Sequence, residues 1–171
     1  MLLKILKYGD SKLETLCDPV EEFDTAELRK LVKDMFETMY DAEGVGLAAP
    51  QVGVLKRLFI VDCSCGEDEK QRLVLINPEI VSAEGQQVGE EGCLSIPGFR
   101  EPVKRAMTVT VKARNVEGEE IEINGDELLA RAVLHETDHL NGVLFLKHLS
   151  KLKRELIKRK IRNLRKKGEW D

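Results

Sequence analysis

His135-Glu136-Thr137-Asp138-His139 is the stretch of this chain best suited to chemistry. On a helix, residues four apart stand one turn apart on one face, so His135 and His139 can both point at a single metal ion. Glu136 lies beside that face, where its carboxylate can reach a water on the metal without being a ligand. This is the H-E-x-x-H arrangement of metal-assisted hydrolysis. The chain has three histidines and this motif takes two of them, which weighs against chance. A hydrolytic ion ordinarily has three protein ligands and a water. The third must come from elsewhere, and Cys93, Glu90, Glu91 and His148 are candidates. His148 precedes a basic stretch and reads as a surface or capping histidine. Cys93 sits in Glu90-Glu-Gly-Cys-Leu-Ser-Ile-Pro-Gly98, where Gly92 permits close backbone approach and Pro97-Gly98 turns the chain. Cys17, Cys63 and Cys65 read as small buried hydrophobes.

Gly44-Val-Gly-Leu-Ala-Ala49 matches the G-x-G-x-x-A pattern of dinucleotide folds. That fingerprint needs a strand before it and a helix after it. Here a helix precedes it, and Pro50 interrupts any helix beginning in the glycines. The segment Gly44 to Gly53 reads instead as a loop offering backbone N–H and C=O groups to a ligand, with Gln51 as the polar side chain beside them.

Several elements must position these residues. Leu28, Leu31, Val32, Met35, Phe36 and Met39 recur at helical spacing and predict a helix over 25–42, capped by Thr25 or Asp24 and ended by Gly44. Arg57 to Cys63 and Arg72 to Ile76 are β-branched runs, the second broken by Asn77-Pro78. Met107 to Ala113 and Glu119 to Ile123 alternate and form a hairpin around Asn115-Val-Glu-Gly118. A helix over 125–140 carries the H-E-x-x-H motif, with Asn124 and Glu127 as a capping box and Asn141-Gly142 as the stop. A last helix, about 149–165, places Leu149, Leu152, Leu156, Ile157, Ile161 and Leu164 on one face. Helices and antiparallel strands are segregated, which is the α+β pattern.

At 171 residues the chain suits one domain, long enough to bury roughly 70% of its unfolded surface without staples. Hydrophobic residues at 42% and charged residues at 34% exclude a disordered chain. Four cysteines are too few for a disulfide scaffold. The N-terminus is apolar but broken by lysines, unlike a signal peptide, and no apolar run approaches the ~18 residues of a membrane span. A cytoplasmic protein is expected. The net charge of −4 hides an uneven division. Residues 147–167 hold eleven Lys and Arg against one Glu, leaving 16 basic and 30 acidic residues elsewhere.

Taken together, Gly44-Val-Gly-Leu-Ala-Ala-Pro-Gln-Val-Gly53, Glu91-Gly-Cys-Leu-Ser95 and His135-Glu-Thr-Asp-His139, in that order, resemble the three motifs of the peptide deformylase family. The resemblance implies an α+β fold of short antiparallel sheets around a central motif-bearing helix, with a catalytic region over 1–148 and a basic C-terminal helix and tail, 149–171, in the same domain. It implies one Fe2+ held by Cys93, His135 and His139, with zinc, nickel or cobalt as substitutes. Thiolate and imidazole ligands alone do not choose among these metals. The implied reaction removes the N-formyl group from formyl-methionine on nascent polypeptides. Glu136 acts as general acid and base, and the Gln51 amide and Leu94 backbone N–H stabilise the oxyanion. Gly46 would bind substrate backbone, Arg100 its carbonyls, and Val45, Leu128 and Ala132 would wall the methionine pocket. Arg131 would either cover that pocket with its stem, its charge in solvent, or narrow it. Arg105 would pair with Glu90 or Glu91. The implied partners are formyl-methionyl nascent chains and the ribosome, the basic helix contacting rRNA, in a monomer with no membrane contact. The competing readings are a zincin-type peptidase with His148 as third ligand, a Cys93 nucleophile with His135 as base, and a non-catalytic ribosome-binding protein.

Overall fold

A computed structural model describes the whole chain, Met1–Asp171. It has three helices, α1 (Ala26–Asp41), α2 (Glu127–Leu140) and α3 (Lys151–Lys166). The seven strands are β1 (Gly46–Ala48), β2 (Leu58–Val61), β3 (Leu73–Glu84), β4 (Gln87–Cys93), β5 (Ile96–Arg105), β6 (Thr108–Arg114) and β7 (Glu120–Asp126). Five strands form an antiparallel sheet in the order β1-β2-β3-β6-β7, and β4 and β5 pair only with each other. The class is α+β, as the segregated elements predict.

The sheet lies between two helices, and β2 shows why its sequence is a continuous apolar run. Leu58 and Ile60 pack with Leu28, Val32, Met35 and Met39 of α1. Phe59 and Val61, on the opposite face, pack with Ala130, Ala132, Val133 and Leu140 of α2. A strand covered on both sides needs no polar alternation. A third cluster joins Ile96 and Val103 of the β4–β5 hairpin to Leu13, Phe145, Ile157, Ile161 and Trp170.

Six local expectations are corrected. The second strand does not stop at Asn77-Pro78: β3 runs through it with a register shift between Ile76 and Glu79, and Asn77 takes φ +51. A bulge is one of the few places a proline can occupy in a strand. The Gly44–Gly53 segment is not all loop; it contains β1 and a 3-10 turn over Ala49–Val52. The chain reverses after Cys93 at Leu94-Ser95, since Cys93 pairs with Ile96, and not at Pro97-Gly98. The Asn124–Glu127 capping box does not form. Asn124 is held in β7, its Oδ1 accepting from Thr110 Oγ1, and the N-cap is Asp126. On α3, Ile157 and Ile161 face inward, whereas Leu152 and Leu156 are exposed at 71% and 47%. Of the three cysteines read as buried, only Cys17 is; Cys63 is half-buried and Cys65 exposed.

Candidate active site

A cleft of about 680 Å³ opens between the Gly44–Gly46 segment, the tip of the β4–β5 hairpin and one face of α2. Three soft or borderline donors converge at its base. His139 Nε2 lies 3.3 Å from Cys93 Sγ and 3.2 Å from His135 Nε2, and all three donor atoms fall within 4.8 Å of one another. Metal–nitrogen bonds of about 2.0–2.1 Å in tetrahedral geometry place two nitrogens roughly 3.4 Å apart. The donor spacing therefore fits one ion. The helix supplies the two imidazoles one turn apart, and the hairpin brings the sulfur from 42 residues earlier in the chain. Burial and the adjacent His135 ring hold His139 well below the ordinary imidazole value, which leaves a neutral nitrogen for a metal.

Glu91 orients this donor set from behind. His135 Nδ1–H donates to Glu91 Oε2 at 2.9 Å, which turns Nε2 toward Cys93 and His139. Arg105 binds the same carboxylate through Nε (3.0 Å) and NH2 (2.7 Å), and Arg131 adds NH1 at 3.0 Å. Burial alone would raise the Glu91 carboxyl, but hydrogen bonds from His135 and Arg105 outweigh it and hold it well below the usual range. Arg105 NH1 continues outward to Asp138 at 2.7 Å, whose Oδ2 also lies 2.8 Å from His148 Nε2. His148 is thus neither a ligand nor a helix cap; it ends a polar chain leading to the back of the site.

Of the two expectations for Arg131, the solvent-exposed charge is corrected. Its charge does not reach solvent, because NH1 binds Glu91 and the Val103 carbonyl, each at 3.0 Å. The residue is buried and still lines the cleft. The signal was its spacing: Arg131 is one turn before His135, on the face that Glu91 meets. Of Glu90 and Glu91, Arg105 takes Glu91, while exposed Glu90 stands 3.7 Å from Arg100 Nε.

Glu136 is buried and lines the cleft without joining the donor set. Its Oε2 has no hydrogen-bond partner, and burial pushes the carboxyl up to about 7. Gly46 forms the wall against it: a Cβ there would lie 2.7 Å from Glu136 Oε1. Close approach therefore favours glycine at this position, which the family motif singles out for substrate binding. Gln51 is fixed with its oxygen accepting from Ala48 N–H at 2.9 Å. Its Nε2 then points at Cys93 Sγ (3.5 Å) and Ser95 Oγ (3.1 Å). Leu94 N–H has no intramolecular acceptor and lies at the hairpin tip beside Cys93. Val45, Gly46, Arg100, Leu128 and Ala132 all line the same cleft, Ala132 buried and Leu128 half-exposed.

The comparisons with known proteins agree with this geometry. The sequence model of the polypeptide deformylase family matches residues 2–155. A peptide deformylase of Acidobacterium capsulatum is 54% identical over 170 residues, covering 99% of each chain. One from Clostridium botulinum is 59% identical over 150 residues, 88% of this chain and 98% of that relative. The crystal structure of a peptide deformylase from Legionella pneumophila superposes with a TM-score of 0.91 at 47% identity, over 100% of this chain and 99% of that one. With its three motifs converging on one cleft and most of its length shared with these relatives, the chain belongs to the polypeptide deformylase family.

Proposed function

We propose that this protein is a metal-dependent hydrolase that removes the N-formyl group from the formyl-methionine of newly made polypeptides, in the cytoplasm, using Fe2+ held by Cys93, His135 and His139. The observation that carries the reading is the convergence of Cys93 Sγ with the two Nε2 atoms at the base of a cleft that also holds the unpartnered Glu136 carboxylate oxygen. An ion bound there supplies Lewis-acid polarisation and lowers the pKa of a coordinated water. Glu136 takes the proton from the attacking water and returns it to the leaving amine, giving formate and a free methionyl N-terminus. The Leu94 N–H and a Gln51 Nε2–H, released from its long contact to Cys93, donate to the oxygen of the tetrahedral species; one such donor is worth about 3 kcal/mol. β1 has no ladder partner on its outer edge, so Gly46 can align an extended peptide by strand addition. Arg100 binds carbonyls further along the peptide, and the methionine side chain enters between Val45, Leu128 and Ala132.

The zincin reading is disfavoured by the place of its third ligand, since His148 is engaged with Asp138 and Arg105 and Cys93 stands where that ligand should be. A Cys93 nucleophile would need one imidazole and leaves the second, and Glu136, without work. Anaerobically prepared protein is expected to contain close to one iron per chain and to release formate from a formyl-Met peptide. Cys93→Ala is expected to hold less than about a tenth of that metal. A metal-free parent with full activity, or a fully metallated Cys93→Ala, would overturn the assignment.

We further propose that the outer face of α3 binds ribosomal RNA. Lys151, Arg159, Lys160, Arg162 and Lys166 are exposed along it, while Ile157 and Ile161 anchor the other side. Deleting the helix would strip the cluster around Ile96 and Val103, so substitution is the cleaner test. Changing Arg159, Lys160, Arg162 and Lys166 to Gln should leave cleavage of a short formyl peptide unchanged and weaken ribosome co-sedimentation. The log–log salt slope should fall by about 3, at roughly 0.7–0.9 per lost phosphate contact. Unchanged, salt-insensitive ribosome binding would refute the contact.

A further inference from the structure

The hairpin that carries Cys93 is poorly braced by its own ladder. β4 and β5 pair only with each other, and an isolated two-stranded ribbon is marginal in water. Besides Gln51, whose Nε2 donates to Ser95 Oγ, the hairpin tip is held from both ends of the chain. Tyr8 N–H donates to the Ser95 carbonyl at 2.8 Å. The Tyr8 carbonyl accepts from the Trp170 indole Nε1–H at 2.9 Å and from the Arg165 guanidinium. That guanidinium occupies the space a Cβ would fill at Gly9, which sits at φ +112. Trp170 is 2% exposed, in the cluster with Ile96, Val103, Ile157 and Ile161. Its ring meets Phe99 edge to face, with centroids 6.2 Å apart and planes at 63°. Phe99 is half-buried and lines the cleft together with Arg100, Glu136 and His135.

We propose that Trp170 is a positioning residue for peptide binding: it fixes Phe99 as a wall of the cleft, so that a residue from beyond the basic helix sets how well the peptide docks. No hydrogen bond or ring contact joins Trp170 to the metal donors or Glu136, so its effect falls on docking and not on the chemical step. The proposal rests on reading the cleft as the formyl-peptide site.

Steady-state kinetics on a formyl-Met tripeptide test it. Loss of an edge-to-face aromatic contact should raise KM about fivefold in Trp170→Ala, with kcat within about twofold of the parent. Trp170→Phe keeps a ring against Phe99 and should return KM close to the parent value. In a Phe99→Ala background, Trp170→Ala should add nothing further to KM, since the two act through one contact. Trp170 is the sole tryptophan, so saturating a Glu136→Gln enzyme with the same tripeptide should shift its emission. That measurement leaves Trp170 in place and stands even if Trp170→Ala fails to fold. An unchanged KM in a folded Trp170→Ala, additive effects in the double variant, or an unresponsive emission would overturn the proposal. A parent that cleaves no formyl peptide would instead overturn the deformylase reading, which separates the two failures.

Discussion

Glu136→Ala should bind a full complement of metal and yet cleave formyl-Met peptide at least about 10²–10⁴-fold more slowly than the parent, the usual contribution of a positioned acid–base group. Metal is retained because Glu136 is not among the converging donors. The loss is large because the cleft holds no substitute. Glu91 has its carboxylate oxygens occupied by donors from His135, Arg105 and Arg131 and is held well below the usual carboxylate range. Glu90 is exposed beside Arg100. Glu136 alone is buried, lacks a partner at one oxygen and has been pushed up to about 7, near the pH at which it must exchange a proton. The same features make it a burden on the fold. A carboxyl whose folded value lies above its unfolded one costs stability that grows as pH rises from about 4.5 toward 7 and stays constant above it. Metal-stripped Glu136→Gln should therefore unfold at the same or a higher urea concentration than the stripped parent at pH 8, while its metal-loaded form is inactive. A variant that turns over normally, or one that is inactive because it has lost its metal, would refute the assignment to Glu136.

The motif helix could be read from the chain because everything it needs is local. His135, Glu136 and His139 lie within five residues, and a 3.6-residue period alone puts the imidazoles together. Cys93 was only one candidate among Cys93, Glu90, Glu91 and His148 until the family motif singled it out, since convergence from a hairpin tip leaves no trace in spacing. The network behind the site was still less readable. Glu91, Arg105, Arg131, Asp138 and His148 come from four separate segments; the sequence predicts pairing of Arg105 with Glu90 or Glu91 but not burial of the Arg131 charge. The errors in the fold have the same origin. Asn77-Pro78 reads locally as a break, but β3 pairs with β2 on one side of it and β6 on the other and absorbs it as a bulge. Asn124 is a good cap by type, but the β6 ladder claims it first. On α3, the apolar stripe is wider than the surface it covers, so Leu152 and Leu156 remain outside.

Glu91→Ala should be the most destabilising substitution in the site, lowering the unfolding free energy by about 3–5 kcal/mol. Native domains hold only about 5–15 kcal/mol in total, so this variant should be partly unfolded at 37 °C. Removal of the carboxylate leaves the guanidinium of Arg131 without its anion in a buried place and halves the compensation of Arg105, which keeps Asp138. Adding a hydrophobic side chain would not mend this, since the cost comes from the stranded charges and not from lost volume. Glu91→Gln fills the space but turns an N–H toward one of three donors, so it should lie between Ala and the parent. The effect on the metal is separable. Without the acceptor at Nδ1, His135 loses both its fixed tautomer and part of its basicity, and affinity should fall about 10–100-fold in chelator competition on the folded fraction. The pH dependence gives the sign. Because the folded carboxyl lies below its ordinary value of 4.5, its contribution is present at neutral pH and is lost only as pH falls through and below the ordinary carboxylate range. Urea midpoints of the parent should therefore drop on acidification below about pH 5, and those of Glu91→Gln should drop less. Equal acid sensitivity in the two, with unchanged metal affinity, would show that Glu91 does not govern the site from behind.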